Sequence, residues 1–196
     1  METYITNAIW IAGAYIVGSV PFGFLIGRLR GVDVRTVGSK NIGATNVYRT
    51  VGKGWGLLAF LCDFLKGLLP TLAADRWGGG GNLSVYVGLA CVVGHTLTVF
   101  MRFRGGKGVA TAFGMMIALA PWPTLAAFGV FAATVWLSHY ISLGSILAAA
   151  TLGTLVWFVP CLPLLRGVAT AIAVFVIVKH RTNIARLAKG CENKIY

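Results

Sequence analysis

Apolar runs recur along the chain, separated by short connections rich in glycine, hydroxyl and basic residues. A helix that crosses a bilayer needs about 20 mostly apolar residues. Seven stretches meet or approach that length: Tyr4 to Gly27, Trp55 to Ala74, Ser84 to Met101, Val109 to Ala120, Thr124 to Ser138, Leu143 to Val159 and Gly167 to Lys179. The fourth, fifth and seventh are short. Pro121 and Pro123 around Trp122 predict a tight turn at a membrane surface, because proline cannot continue a hydrogen-bonded helix beyond its first turn. The alternative is a shorter count of five, with Val109 to Ser138 among them as one broken span. The pattern predicts an all-α polytopic membrane protein, a seven-transmembrane-helix bundle forming a single domain over residues 1–196.

Charge then fixes the sidedness. The 17 Lys and Arg residues against 5 Asp and Glu leave +12, a balance that by itself would suit a nucleic-acid binder. A chain that is 57% hydrophobic, with mean hydropathy +0.80, lacks the polar hydrated face such a binder needs, and no nucleic-acid partner is expected. Cytoplasmic connections of membrane proteins are enriched in Lys and Arg. In the seven-span parse one side holds Arg28, Arg30, Arg35, Lys40, Arg49 and Lys53, then Arg102, Arg104 and Lys107, then Lys179, Arg181, Arg186, Lys189 and Lys194. The other side holds Arg76 and Arg166, and Lys66 lies inside a span. The N-terminus is therefore expected outside and the C-terminus in the cytoplasm; an even number of spans would spoil the asymmetry. No basic residue precedes the first apolar stretch, so it reads as a retained span and not a cleaved signal. Cys62, Cys91, Cys161 and Cys191 are far apart and read as free thiols.

Three segments on the basic side are richer in polar side chains than connecting loops need to be. Gly38 to Asn46, continuing to Arg49, offers small residues for close backbone approach, with Ser39, Asn41, Thr45 and Asn46 as hydrogen bonders and Arg49 as a charge, a set suited to phosphate. The competing interpretation is a basic loop lying on anionic lipid. Gly105, Gly106, Lys107 and Gly108 open a helix, so helix N–H groups and Lys107 can converge on an anion. This is not a Walker A loop, since Met101 and Gly108 stand where that motif needs glycine and a hydroxyl residue. A tight positive-inside turn explains the tetrapeptide equally well. His180 and Asn183, three apart, share a helix face and suit the orientation of a hydroxyl or phosphate; a histidine that merely caps the helix is the alternative.

Other polar residues fall inside the apolar stretches. Asp63 and Lys66, spaced i,i+3, read as a structural ion pair, and His95 with Thr96 should face a protein interior. Ser142 and Ser145 stand near the cytoplasmic entrance of the sixth stretch, where serine also serves as a small packing residue. Gly23 and Gly27 form a GxxxG spacing expected to support close helix packing. The five acidic residues show no spacing for bound Mg²⁺ or a two-metal site, and neither a His-x₄-Asp pair nor a Gly-x-Ser-x-Gly elbow occurs.

Taken in order, Gly38-Ser-x-Asn-x-Gly-Ala-Thr-Asn46, Asp63-Phe-Leu-Lys-Gly67, Gly94-His95, Gly105-Gly-Lys-Gly-Val-Ala-Thr111, Ser142-Leu-Gly-Ser145 and His180-Arg-x-Asn-Ile184 with Glu192 closely resemble the PlsY family of bacterial membrane acyltransferases. The resemblance implies an inner-membrane enzyme that moves an acyl chain from acyl phosphate to glycerol 3-phosphate, giving lysophosphatidate, with no metal or other cofactor. It implies a polar pocket of Ser39, Thr45, Arg49, Lys107, Ser145, His180 and Asn183, a glycerol phosphate loop formed by Gly105, Gly106 and Gly108, and a structural role for Glu192. Two departures are visible: Lys40 stands where the family usually has glycine, and Thr182 where an acidic residue is frequent. Expected partners are the two substrates and membrane lipid, with the chain acting as a monomer. A transporter of a phosphorylated organic anion is the competing class, since a basic pocket in a helical bundle would serve that task too.

Overall fold

The computed structural model describes residues 2–195, which contain helices, turns and loops and no strand. The chain forms two compact units, one running to Ala118 and one from Leu119. The first contains α1 (Glu2–Ser19), α2 (Phe22–Leu29), α3 (Ala44–Thr50), α4 (Lys53–Trp77), α5 (Asn82–Thr96) and, up to the boundary, α6 (Val109–Leu119). The second contains α7 (Pro121–Ser138), α8 (Ile141–Leu155), α9 (Pro163–Lys179) and α10 (Arg181–Ala188). Single 3₁₀ turns follow α5 and α8.

Helix occupies each of the seven apolar stretches, but their lengths differ. Four segments are long and apolar enough to cross a membrane: Glu2–Leu29, Lys53–Trp77, Asn82–Met101 and Ile141–Phe158. The pair α9 and α10, bent by 53° at His180, makes a fifth if it is one broken span. The 11 residues of α6 reach only about 16 Å, roughly half the hydrocarbon thickness.

The first apolar stretch is two helices, not one. Pro21 has no N–H and interrupts the ladder after Ser19. Carbonyls freed in an apolar setting need partners. Thr98 Oγ1 donates to Ser19 O at 2.6 Å and Lys66 Nζ to Val20 O at 2.8 Å, so side chains from α4 and from beyond α5 seal the break.

In the first unit α1 lies against α5, and α4 against α3 and α5; in the second, α8 lies between α7 and α9. The core where α1 and α4 meet α5 is built from small or slender side chains, Ala14, Ala74, Val87, Ala90 and Cys91, together with Leu83. Large apolar residues such as Ile9, Leu57, Leu69, Trp136 and Phe158 point outward, a pattern suited to lipid. Gly23 and Gly27 are close-packed as expected, but against a loop instead of another helix. A Cβ at Gly23 would overlap the carbonyl of Ile42, and one at Gly27 would press on Val32 and Val34. Ile26, Val34, Ile42, Val47 and Ala59 complete this second core, which clamps the segment before α3 onto α2 and α4. All four cysteines are free thiols.

Candidate active site

In the first unit, the segment ahead of α3 is organised around one buried side chain. Asn46 is 2% exposed; its Nδ2 donates to the carbonyls of Val34 (2.8 Å) and Val37 (3.2 Å), and its Oδ1 accepts the Ser39 N–H at 2.9 Å. Both amide hydrogens are thus bonded to the backbone, and Asn46 shapes the loop that presents Ser39. Asn41 is similarly local, its Oδ1 accepting the Gly43 N–H at 2.7 Å in the turn that starts α3. Thr45 and Arg49 lie i,i+4 on α3 and therefore share a face. The loop's outer arm is pinned by Asp33, which accepts from Arg35 Nε (2.9 Å) and NH2 (2.7 Å); these bonds hold its carboxyl far below the ordinary carboxylate range.

Lys40 has φ 57°, in the left-handed region. Its departure from the family's glycine therefore falls where glycine is conformationally favoured. The left-handed penalty of about 1–2 kcal/mol for an L-residue is largely offset on returning to glycine by the greater freedom of the unfolded chain. Lys40→Gly should accordingly leave the thermal midpoint nearly unchanged, while Lys40→Val, β-branched at the same angle, should lower it measurably. Equal midpoints for the two variants would remove the conformational explanation.

The Gly105–Gly108 loop connects the end of α5 to α6. Gly105 N–H donates to Thr96 O and Gly106 N–H to His95 O, each at 3.1 Å. These two N–H groups are bonded within the chain, so Gly105 and Gly106 shape the loop they were expected to lend to phosphate binding. Gly105 and Gly106 are needed for closeness: a Cβ at 105 would overlap the His95 carbonyl, and one at 106 the His95 ring. Gly108, at φ +80°, turns the chain into α6, whose first helical bond runs from Ala112 N to Gly108 O at 2.8 Å. The N–H groups of Gly108, Val109, Ala110 and Thr111 are those a helix leaves without an intrahelical partner, and half-buried Lys107 stands beside them.

In the second unit, His180 sits at the bend between α9 and α10 and is 3% exposed. Its Nδ1 is 2.8 Å from Val176 O. A carbonyl only accepts, so Nδ1 carries the hydrogen of the neutral ring and Nε2 carries the lone pair. Glu192, from the segment after α10, accepts from Ser142 Oγ (3.0 Å) and Asn183 Nδ2 (2.7 Å) on Oε1 and from Arg186 Nε (2.6 Å) on Oε2. Burial pushes its carboxyl up, but the bonds from Arg186, Asn183 and Ser142 outweigh this and hold it below the ordinary range. The following tail is tied to the α7–α8 turn by Ile195 N–H to His139 O at 2.9 Å. Ser145 Oγ donates to Ile141 O at 2.9 Å, so in this rotamer its hydroxyl hydrogen faces its own helix.

Comparison with known proteins now bears on these two groups. The sequence model of a family described as glycerol-3-phosphate acyltransferase matches residues 8–190. The chain belongs to this family. A glycerol-3-phosphate acyltransferase from Trichlorobacter lovleyi is 52% identical over 185 residues, covering 94% of this chain and 95% of the relative. One from Geobacter sulfurreducens is 50% identical over 190 residues, covering 97% and 98%. A crystal structure of PlsY, an integral membrane glycerol 3-phosphate acyltransferase in its glycerol 3-phosphate form, superimposes with TM-score 0.91 at 40% identity, covering 96% of this chain and 94% of that one. The lysophosphatidic acid form gives 0.88 at 39% identity.

Within this family member, the expected i,i+3 pair forms: Lys66 Nζ lies 2.7 Å from Asp63 Oδ1. Two participants went unforeseen. Arg186, counted among topology-setting charges, pairs with Glu192; the i,i+3 spacing from Asn183 placed it on the correct helix face. His95, read as a polar group facing the interior, buttresses the glycine loop. Among the described residues no three His, Cys, Asp or Glu side chains are grouped to hold a metal ion.

Proposed function

We propose that the protein transfers an acyl chain from acyl phosphate to a hydroxyl of glycerol 3-phosphate, giving 1-acyl-glycerol 3-phosphate and inorganic phosphate, at the cytoplasmic face of the bacterial inner membrane. The observation that carries this is the full-length likeness to a PlsY seen with glycerol 3-phosphate and with lysophosphatidic acid. In the seven-span parse fourteen of the seventeen basic residues fall on one side, which supports a cytoplasmic site and an N-terminus outside. In this reading the chain acts as a monomer and as a single functional domain over residues 1–196.

Acyl phosphate is a mixed anhydride and already activated, so positioning and charge stabilisation suffice without a covalent acyl-enzyme. Lys107 and the first N–H groups of α6 hold the phosphate of glycerol 3-phosphate, with Gly105 and Gly106 fixing their shape. Thr45 and Arg49, with Ser39, receive the acyl phosphate; Ser145, in the second unit, offers a further hydroxyl once its rotamer turns from Ile141 O. The glycerol hydroxyl oxygen bonds to the acyl carbon, the anhydride C–O bond breaks, and inorganic phosphate leaves. The hydroxyl proton passes to a phosphate oxygen of the substrate or to Nε2 of His180, which Asn183 helps to place.

The decisive assay incubates the purified full-length protein with palmitoyl phosphate and glycerol 3-phosphate in EDTA. Lysophosphatidate should form at the rate seen without chelator. Folded protein that yields none would instead favour transport of a phosphorylated anion.

A further inference from the structure

One polar cluster in the first unit has no role in the chemistry above. Asp63 and Lys66 on α4 and His95 on α5 are 2%, 4% and 5% exposed. Lys66 Nζ contacts Asp63 Oδ1 at 2.7 Å, donates to Val20 O at 2.8 Å, and lies 5.6 Å from the centre of the Phe22 ring. His95 Nδ1 approaches the same Asp63 oxygen at 3.5 Å. The opposite ring edge, at Nε2, occupies the space a Cβ on Gly106 would need, while the His95 carbonyl accepts the Gly106 N–H. Contacts therefore run without a gap from Lys66 through Asp63 and His95 to Gly106, the neighbour of Lys107.

A buried ion pair is a poor device for simply joining helices, since well-packed apolar residues are often as stable or more so. Ionisable groups inside apolar spans are retained where they serve a function. Here the pair's outward reach ends on the glycine loop. With no side chain of its own, Gly106 takes its position from the ring it lies against.

We propose that Asp63, Lys66 and His95 form a buried positioning relay that fixes the Gly105–Gly108 loop against α5 and thereby sets the enzyme's affinity for glycerol 3-phosphate. Lys66 neutralises Asp63, the Asp63 carboxylate lies against the Nδ1 edge of the imidazole as an electrostatic contact and not a hydrogen bond, and the imidazole buttresses Gly106. All three are positioning residues acting through Lys107 and the α6 N–H groups. The inference rests on the reading of this loop as the glycerol 3-phosphate site.

The test is steady-state kinetics of the purified full-length enzyme with each substrate varied, alongside calorimetric binding of glycerol 3-phosphate alone. His95→Ala and Asp63→Asn should each raise the KM for glycerol 3-phosphate about ten- to a hundredfold, the effect typical of groups that orient a binding shell. The KM for acyl phosphate should move less than about threefold, and calorimetry should show the same loss for glycerol 3-phosphate. His95→Gln, whose amide reaches towards the Nε2 position, should recover most of the affinity. The double variant Asp63→Asn with His95→Ala should be no worse than His95→Ala alone, since both cut one path. If Asp63→Asn does not fold because Lys66 is stranded, Asp63→Leu with Lys66→Leu removes both charges and should show the same selective shift. Folded variants with near-normal glycerol 3-phosphate KM, or with both KM values raised equally, would overturn the relay. Failure of the reaction itself is a separate result, seen as absent turnover in the unmodified enzyme.

Discussion

Lys107→Ala is expected to lower kcat by about a hundredfold, because glycerol 3-phosphate whose phosphate is no longer clamped presents its hydroxyl out of line with the acyl carbon. The residue stands between Gly106, which is locked to α5 by its N–H bond to His95 O, and Gly108, which opens α6. Its backbone is thus held by bonded neighbours on both sides, and the alanine variant should remain folded, as its thermal midpoint will show. The glycerol 3-phosphate KM should rise as well, because the helix N–H groups that remain carry only partial charge. Lys107→Arg retains the charge, but a planar fork replaces a compact ammonium, so recovery should be partial. Rates are read on purified enzyme with both substrates near saturation. Near-normal turnover in Lys107→Ala would falsify the phosphate-clamp role.

The contrast between Lys107 and its glycine neighbours shows where sequence reasoning ran out. A run of glycines signals that something approaches the backbone closely, but not what. At Gly105 and Gly106 the structure shows the chain itself approaching, through the carbonyls of Thr96 and His95. Asn46 makes a related point: its amide donors go to the carbonyls of Val34 and Val37, residues that only the folded loop brings near. Spacing rules succeeded where partners are local. The i,i+3 pair of Asp63 and Lys66 and the apolar stretches were legible because helix periodicity alone sets them. The break at Pro21 sat inside an unbroken apolar run, so hydropathy concealed it although the proline was in plain view. Resemblance supplied the family, but the partners of His95 and Glu192 are tertiary facts.

Glu192→Ala should be the most destabilising of the second unit's polar substitutions. One carboxylate satisfies Ser142, Asn183 and Arg186, on α8, on α10 and again on α10. Removing it strands the donors of Ser142 and Asn183, which are buried, and a guanidinium that is partly exposed and so partly rescued by water. A loss of about 2–3 kcal/mol is expected. Activity should fall at least about tenfold as well, since Asn183 shares α10 with the start of the bend at His180, and a loosened helix misplaces both groups. Glu192→Gln should be intermediate: its oxygen can still accept from Ser142 and Asn183, but its NH₂ would face the Arg186 donor. Acidification separates charge from shape. The folded carboxyl titrates below its unfolded value near about 4.3, so its stabilising contribution is complete above that pH and is lost as pH falls through the folded value. Thermal midpoints of wild type and Glu192→Gln should therefore differ at pH 7 and converge as the pH is taken down towards 3, because protonation turns the wild-type side chain into a neutral analogue of the variant. A gap that persists unchanged at low pH would show that Glu192 acts through packing alone, and the ionised hub would no longer account for the placement of His180 and Asn183.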